Sequence, residues 1–325
     1  MSFKSKINKL NTYRKAKIFV PATFNHFLIK IRRHQMSELQ LGCAKASLTQ
    51  YLECLLLAKL RKKFRKQIKA TAERIKEENV HLSHRKSKII WVCWLQGIDN
   101  APLIVRICYQ SLINTFGAEY EIRVITDDNY AEYIDFPQNI IEKYKKGIIS
   151  KTHFSDLIRL ELLIRYGGIW ADSTLLFNGS KLPEYMTDSD LFLFQSIWPQ
   201  LFGRATRTES WFISACQNHP MLIFVRDMLY EYWKKYNILI DYWLVYDMFE
   251  FAIENFKTEW DKVVPVSQAD VHIFQDRFND KFNKDVFDIT MKRVPIHKLN
   301  WRYDEGGGVD TVYAHIINNF KAYQE

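Results

Sequence analysis

From Ser37 onward, Leu39, Leu41, Ala44, Leu48, Tyr51, Leu55 and Leu56 recur at roughly helical spacing. This pattern predicts a long helix that continues through Arg61-Lys62-Lys63-Phe64-Arg65-Lys66 to about Glu78. The pattern changes at Lys88. Residues 89–94 (IIWVCW) are an apolar, aromatic and β-branched run without alternation, as in a strand buried on both faces. A loop with Gly97, Asp99, Asn100 and Pro102 leads to a helical stretch over 103–115, and a second strand follows at 121–126, closed by Asp127, Asp128 and Asn129. Strand, helix and strand in so short a span form a βαβ unit and imply a parallel sheet. Further strands are expected at 191–194 and 263–266. Residues 211–215 are expected to open a helix-rich segment over 219–256, where Leu222, Val225, Met228, Leu229 and Trp233 keep helical spacing.

Residues 155–177 (SDLIRLELLIRYGGIWADSTLLF) join the two patterns. An apolar helix carries Asp156 and Arg159 one turn apart, Gly167 and Gly168 break it, and a short strand of Ile169, Trp170 and Ala171 ends at Asp172. A carboxylate at the tip of a buried strand, just after a Gly-Gly turn, is where an α/β enzyme holds a metal or a polar ligand.

Charge divides the 325 residues unevenly. Residues 1–88 carry 22 Lys and Arg against 5 Asp and Glu, whereas the remainder is mildly acidic. A nucleic-acid enzyme needs a basic working cleft, so the split argues against that class. The organisation expected is a basic N-terminal helical region, 1–87, before an α/β domain over 88–325. The basic helix has two readings: a solvated face of a helix packed on the main domain or a second subunit, or attachment to an anionic membrane surface. Cys43, Cys54, Cys93, Cys108 and Cys216 have neither metal-type spacing nor an even count, which favours a reducing compartment. Pro21, Asn25 and His26 interrupt any signal-type run after Ile18, Phe19 and Val20. The location expected is cytoplasmic, peripheral on the inner face of the cell membrane.

Several blocks, in order, resemble the capsular polysaccharide synthesis family of nucleotide-sugar glycosyltransferases: KIIWVCWLQG (88–97), CYQS (108–111), ITDDNYAEYIDFP (125–137), HFSDLIRLELLIRYGGIWADST (153–174), SWFISACQNHP (210–220), DYWLVYDMF (241–249) and PIHKLNW (295–301). The resemblance implies a glycosyltransferase-A fold, Rossmann-like, with a mostly parallel sheet and flanking helices. It assigns Asp156 and Arg159 to the nucleotide-sugar, since they share a helix face and pair a hydroxyl acceptor with a planar fork of donors. In the superfamily a DxD triplet binds Mn²⁺ or Mg²⁺ on the diphosphate. Here the triplet is Asp172-Ser173-Thr174, with one carboxylate.

By the same resemblance, Trp91, Trp94, Gln96 and Gly97 border the nucleotide base. His297 is a candidate metal ligand beside Asp172, with His315 second to it, and Lys298 is a candidate for the diphosphate. Gly306, Gly307 and Gly308 suggest a lid. Asp241 and Asp247 are candidates to face the acceptor, with Asp241 also a helix cap, while Glu209, Ser210 and Trp211 or Trp198 would border a sugar. The function implied is transfer of a hexose from a nucleotide-diphosphate sugar to a polysaccharide acceptor on a lipid carrier, retaining and metal-assisted. Two other readings compete: an inactive transferase-like scaffold or nucleic-acid-binding protein that uses the basic helices, and a metal-dependent nucleotide-sugar hydrolase.

Overall fold

The structure is a computed structural model and describes residues 27, 29–31, 35–78, 87–197, 205–302 and 308–321. Residues 18–21, Asn25, His26, Trp198, Gly306 and Gly307, singled out above, lie outside the described residues.

The long helix forms. It spans Glu38–Glu77 (α1) and starts with a reciprocal cap, in which Ser37 Oγ accepts from the Gln40 backbone N–H and Gln40 Oε1 accepts from that of Ser37. Its buried stripe comprises Leu52, Leu56, Leu57, Leu60, Phe64, Ala72 and Ile75, so it begins later than the pattern suggested; Tyr51 is 47% exposed. Lys62, Lys63, Arg65 and Lys66 face solvent. The stripe belongs to the same core as the helices and strands that follow, so the charge boundary near residue 88 does not divide two cores.

After α1 come β1 (Ile89–Cys93), α2 (Leu103–Phe116), β2 (Glu121–Ile125), α3 (Lys151–Tyr166), β3 (Gly168–Ala171), β4 (Leu175–Phe177), β5 (Leu191–Gln195), β6 (Thr208–Ala215), α4 (Pro220–Lys235), α5 (Leu244–Asn255) and β7 (Ile296–Lys298), with shorter helices between them. The five-stranded sheet has the order β2-β1-β3-β6-β5. β1 pairs in parallel with β2 and β3, and β6 runs antiparallel to both β3 and β5, so four strands share one direction. The mostly parallel sheet expected from the βαβ unit is what forms. α1 and α3 pack on α4, and α5 packs on α4 and α1.

Two expected elements differ. Residues 211–215 are not a helix start but part of β6, whose eight residues are all buried. A fully buried strand loses the alternation that distinguishes it from helix. Residues 263–266 form no strand: the Val266 carbonyl accepts from Gln195 N–H at 2.8 Å and Ser267 makes a single bridge to Gln195. Pro265 has no N–H with which to extend that pairing.

Candidate active site

α3 is set by its ends. Ser150 caps it by accepting from His153 N–H at 3.2 Å, and Gly167 and Gly168 stop it with φ of 65° and 95°. Between them the helix buries three charged residues, Asp156, Arg159 and Glu161. Burial of a charge requires partners, and for Asp156 and Arg159 those partners are found in a cleft of about 590 Å³ past the C-terminal ends of β1 and β3.

Arg159 is the hub. Its Nη1 lies 3.3 Å from Asp156 Oδ1 and its Nη2 lies 3.0 Å from Asp172 Oδ1. Nη1 also donates to Ser210 Oγ, which in turn meets the Tyr246 hydroxyl at 3.2 Å. The guanidinium lies over the Trp170 ring, 4.8 Å from its centroid, and Trp170 Nε1 donates to Asp172 Oδ1 at 2.9 Å. Both carboxylates are thus held by one planar fork, an arrangement lysine cannot reproduce. Glu161, on the same helix, bonds instead to Tyr230 and Arg165 away from the cleft.

His153 was not among the residues singled out from sequence, although it precedes Asp156 by three positions on the same helix face. Trp233 Nε1 donates to His153 Nε2 at 2.9 Å. An indole only donates, so Nε2 is the acceptor of that bond, while Nδ1 is buried 3.4 Å from Asp156 Oδ2 without a hydrogen bond. The two oxygens of Asp156 therefore lie beside the His153 ring on one side and the Arg159 guanidinium on the other.

β7 brings the C-terminal third of the chain to the same place. Leu175 opposes Lys298 in the antiparallel β4–β7 ribbon, and Leu299 N–H donates to the Thr174 carbonyl at 2.9 Å. Lys298 Nζ donates to Thr174 Oγ1 and lies 3.3 Å from Asp172 Oδ2. Successive residues of a strand face opposite ways, so His297 points away from the triplet. It is fully buried with its ring 4.5 Å from that of Phe274 and beside the Met291 and Val294 backbone, and burial pushes its pKa down to about 4. The candidate metal ligand His297 is therefore corrected to a core residue. His315 stacks on Phe282, outside the cleft.

Trp91 is corrected in the same way. It is buried in the sheet's core, donates from Nε1 to the Gly167 carbonyl at 3.0 Å, and does not reach the cleft. Trp94 and Gln96, beyond the end of β1, do line it. Trp94 packs edge-on against Trp301 at 5.5 Å, and its buried Nε1 has no hydrogen-bond partner. Gly97 holds φ at 82° behind them and lets Asn100 donate to the Gln96 carbonyl.

On β6, Glu209, Ser210 and Trp211 all line the cleft, and Trp211 Nε1 donates to Glu209 Oε2 at 3.1 Å. Asp241 accepts from Trp243 N–H at 2.9 Å as a turn residue before α5. Asp247 lies outside the cleft. Burial first, then the charges of Asp241, Glu53 and Glu250, hold its carboxyl well above the ordinary carboxylate range. The folded chain therefore binds this proton more tightly than the unfolded chain, and the associated stability is lost as pH rises through the folded pKa. Asp247→Asn, which has the shape of the protonated group and does not ionise, is expected to melt about 2 °C or more above the wild type at pH 7. That advantage should vanish below about pH 4. Scanning calorimetry at both pH values checks the sign.

The donor set does not suit a divalent cation. Among the described residues no three His, Cys, Asp or Glu side chains gather to hold a metal. Asp172 is the only carboxylate of its triplet; Oδ1 already meets Arg159 and Trp170, and Oδ2 meets Lys298. Mg²⁺ and Mn²⁺ want oxygen ligands, whereas here two cationic side chains face the same carboxylate. Each repels a further charge 4 Å away by about 4 kcal/mol per unit charge in a partly screened site.

The α/β sheet thus carries a polar cleft at its C-terminal strand ends, lined by an Asp–Arg–Asp cluster and a lysine, where α/β proteins bind their ligands. The chain belongs to the capsular polysaccharide synthesis protein family, whose profile matches residues 43–316. It is also similar to O-glycosyltransferase braB of Annulohypoxylon truncatum, 29% identical over 94 residues, which is 26% of this chain and 22% of that protein. O-glycosyltransferase PaGT of Phomopsis amygdali is 28% identical over 93 residues, 26% of this chain and 23% of that one. The matches thus span less than a quarter of either relative's length. The solved PaToxG Glycosyltransferase shares 15% identity over 65% of this chain and 84% of that one, with a TM-score of 0.35, too slight a likeness to argue from.

Proposed function

We propose that this chain is a glycosyltransferase that moves a hexose from a nucleoside-diphosphate sugar to a hydroxyl of a growing surface glycan carried on a lipid. The observation that carries the reading is the Asp156–Arg159–Asp172 cluster, buried at Asp156 and Arg159 and opening at Asp172 into the cleft beside Lys298. Asp156, fixed by His153 and Arg159, offers its remaining acceptor capacity to sugar or ribose hydroxyls. Trp94 offers a ring and an unused N–H, and Gln96 an amide, to the base. Lys298 supplies positive charge for the diphosphate.

Asp156, Asp172 and Glu209, the three carboxylates of the cleft, are each already bonded to other side chains, which accords with a retaining course in which the acceptor hydroxyl attacks on the leaving-group face. The exposed lysines and arginine of α1 would hold the enzyme on the anionic inner face of a membrane, each contributing about 1 kcal/mol near the lipid. No helix among the described residues is long and apolar enough to cross one.

Asp172→Ala tests the reading. Screening uridine- and guanosine-diphosphate sugars, we expect the wild type to release nucleoside diphosphate and the variant to do so about 10²-fold more slowly or worse. Failure of the wild type to bind any such donor would end the transferase reading in favour of a scaffold.

A further inference from the structure

We infer that Lys298 takes the place of a divalent cation at Asp172, so that the donor's diphosphate is bound and its departure assisted without metal. The inference rests on the reading of the cleft as a nucleoside-diphosphate-sugar site and concerns how that site handles charge.

The placement is specific. The Lys298 ammonium bridges the first and third residues of Asp172-Ser173-Thr174, donating to Thr174 Oγ1 and lying 3.3 Å from Asp172 Oδ2. A triplet with carboxylates at both ends would draw a metal into that gap. Here the third residue is a neutral hydroxyl, an acceptor for an ammonium but not a charged ligand. An ammonium has three protons, and these two contacts leave one for a phosphate oxygen.

The lysine is also held in position. Its backbone lies in the β4–β7 ribbon and its side chain is only 17% exposed, so little rotamer freedom remains to be lost when a phosphate arrives. The other cations of the cleft are less suited: Arg159 is buried among Asp156, Asp172 and Ser210, Lys151 is paired with Asp127 at 3.1 Å, and Arg302 lies over the Trp301 ring.

In the transfer step the bond from the sugar's anomeric carbon to the phosphate oxygen breaks. Its electron pair stays on that oxygen, so the diphosphate gains one negative charge beside Lys298. The acceptor's hydroxyl oxygen forms the new bond to the anomeric carbon, and its proton leaves on the diphosphate or to water. No oxidant, reductant or metal is needed for the balance.

The test uses the full chain, with uridine and guanosine diphosphate as probes for calorimetric binding and their sugars for turnover, each in EDTA and in Mn²⁺. For the wild type, affinity and turnover are expected to agree within about twofold between the two conditions. In EDTA, Lys298→Ala should lose tenfold or more in both, while Lys298→Arg keeps most of the affinity. Tenfold or greater loss on chelation in the wild type overturns the inference but leaves the donor site standing, and so does an unimpaired, folded Lys298→Ala. If Lys298→Ala fails to fold, the wild-type comparison decides alone. Absence of nucleotide binding by the wild type in both conditions overturns the donor reading itself.

Discussion

Arg159→Ala is expected to abolish sugar transfer and to destabilise the fold by about 3–5 kcal/mol, the range for removing one partner from a buried ion cluster. Arg159 is 4% exposed and is the only side chain that touches both Asp156 and Asp172 among the described residues. Without it the two carboxylates lose the cation between them, and Ser210 loses its charged donor. The two carboxylates are then left close together without their cation, which disrupts the cleft. Arg159→Lys separates the two effects. It keeps the charge, so much of the stability should return, but a point charge cannot span two carboxylates as a planar fork does. Activity should therefore stay down by about 10²-fold or more. Denaturant melts beside turnover would show the split, and an Arg159→Ala protein of wild-type stability would refute the cluster's structural role.

Gly168→Ala is the second large effect. A Cβ at this position would stand 2.4 Å from the carbonyl oxygen of Ile89, and the backbone has φ of 95°. Ile89 begins β1 and is paired with β2, so its carbonyl cannot give way cheaply. The left-handed conformation costs about 1–2 kcal/mol for a side chain, and overpacking against backbone adds about 1–3. We expect a total near 3 kcal/mol or more, read as a lower urea midpoint. Gly167→Ala should be milder, because its nearest neighbour is the Ala215 carbonyl at 3.1 Å. Equal effects at the two positions would contradict this account of the β1–β3 junction. Since Trp94 follows β1 and Asp172 follows β3, Gly168→Ala should also impair donor binding in whatever protein folds.

What the chain revealed in advance was what lies close together along it. The helix from Ser37 to about Glu78 was legible because apolar residues at helical spacing are a local signal, although the buried stripe's true start, Leu52, depends on where α4 and α5 lie. Asp156, Arg159 and Asp172 were legible because a helix turn and a Gly-Gly break place them. The same helix spacing would have picked out His153. Lys298 could be named but not placed, since its meeting with Thr174 is made by the β4–β7 ribbon. That PIHKLNW becomes a strand also decides that only one of His297 and Lys298 can face the triplet, and nothing local says which. Trp91 lies in an uninterrupted apolar run, which carries no information about which way its side chains face, and β6 is buried along its whole length although it contains Glu209, Ser210 and Ser214, so neither shows the alternation of a half-buried strand.

The β4–β7 ribbon also sets when the site becomes complete in time. Thr174 and Lys298 lie 124 positions apart in the chain. At about 5–20 residues per second on the ribosome, Asp156, Arg159 and Asp172 emerge roughly 6–25 s before the lysine they await. During that interval the nascent polypeptide holds Asp156, Arg159 and Asp172 but lacks Lys298 and, for the first part of it, Ser210, to which Arg159 donates. On the proposed reading of the cleft, a half-made chain would be kept from spending activated sugar on water until β7 closes on β4.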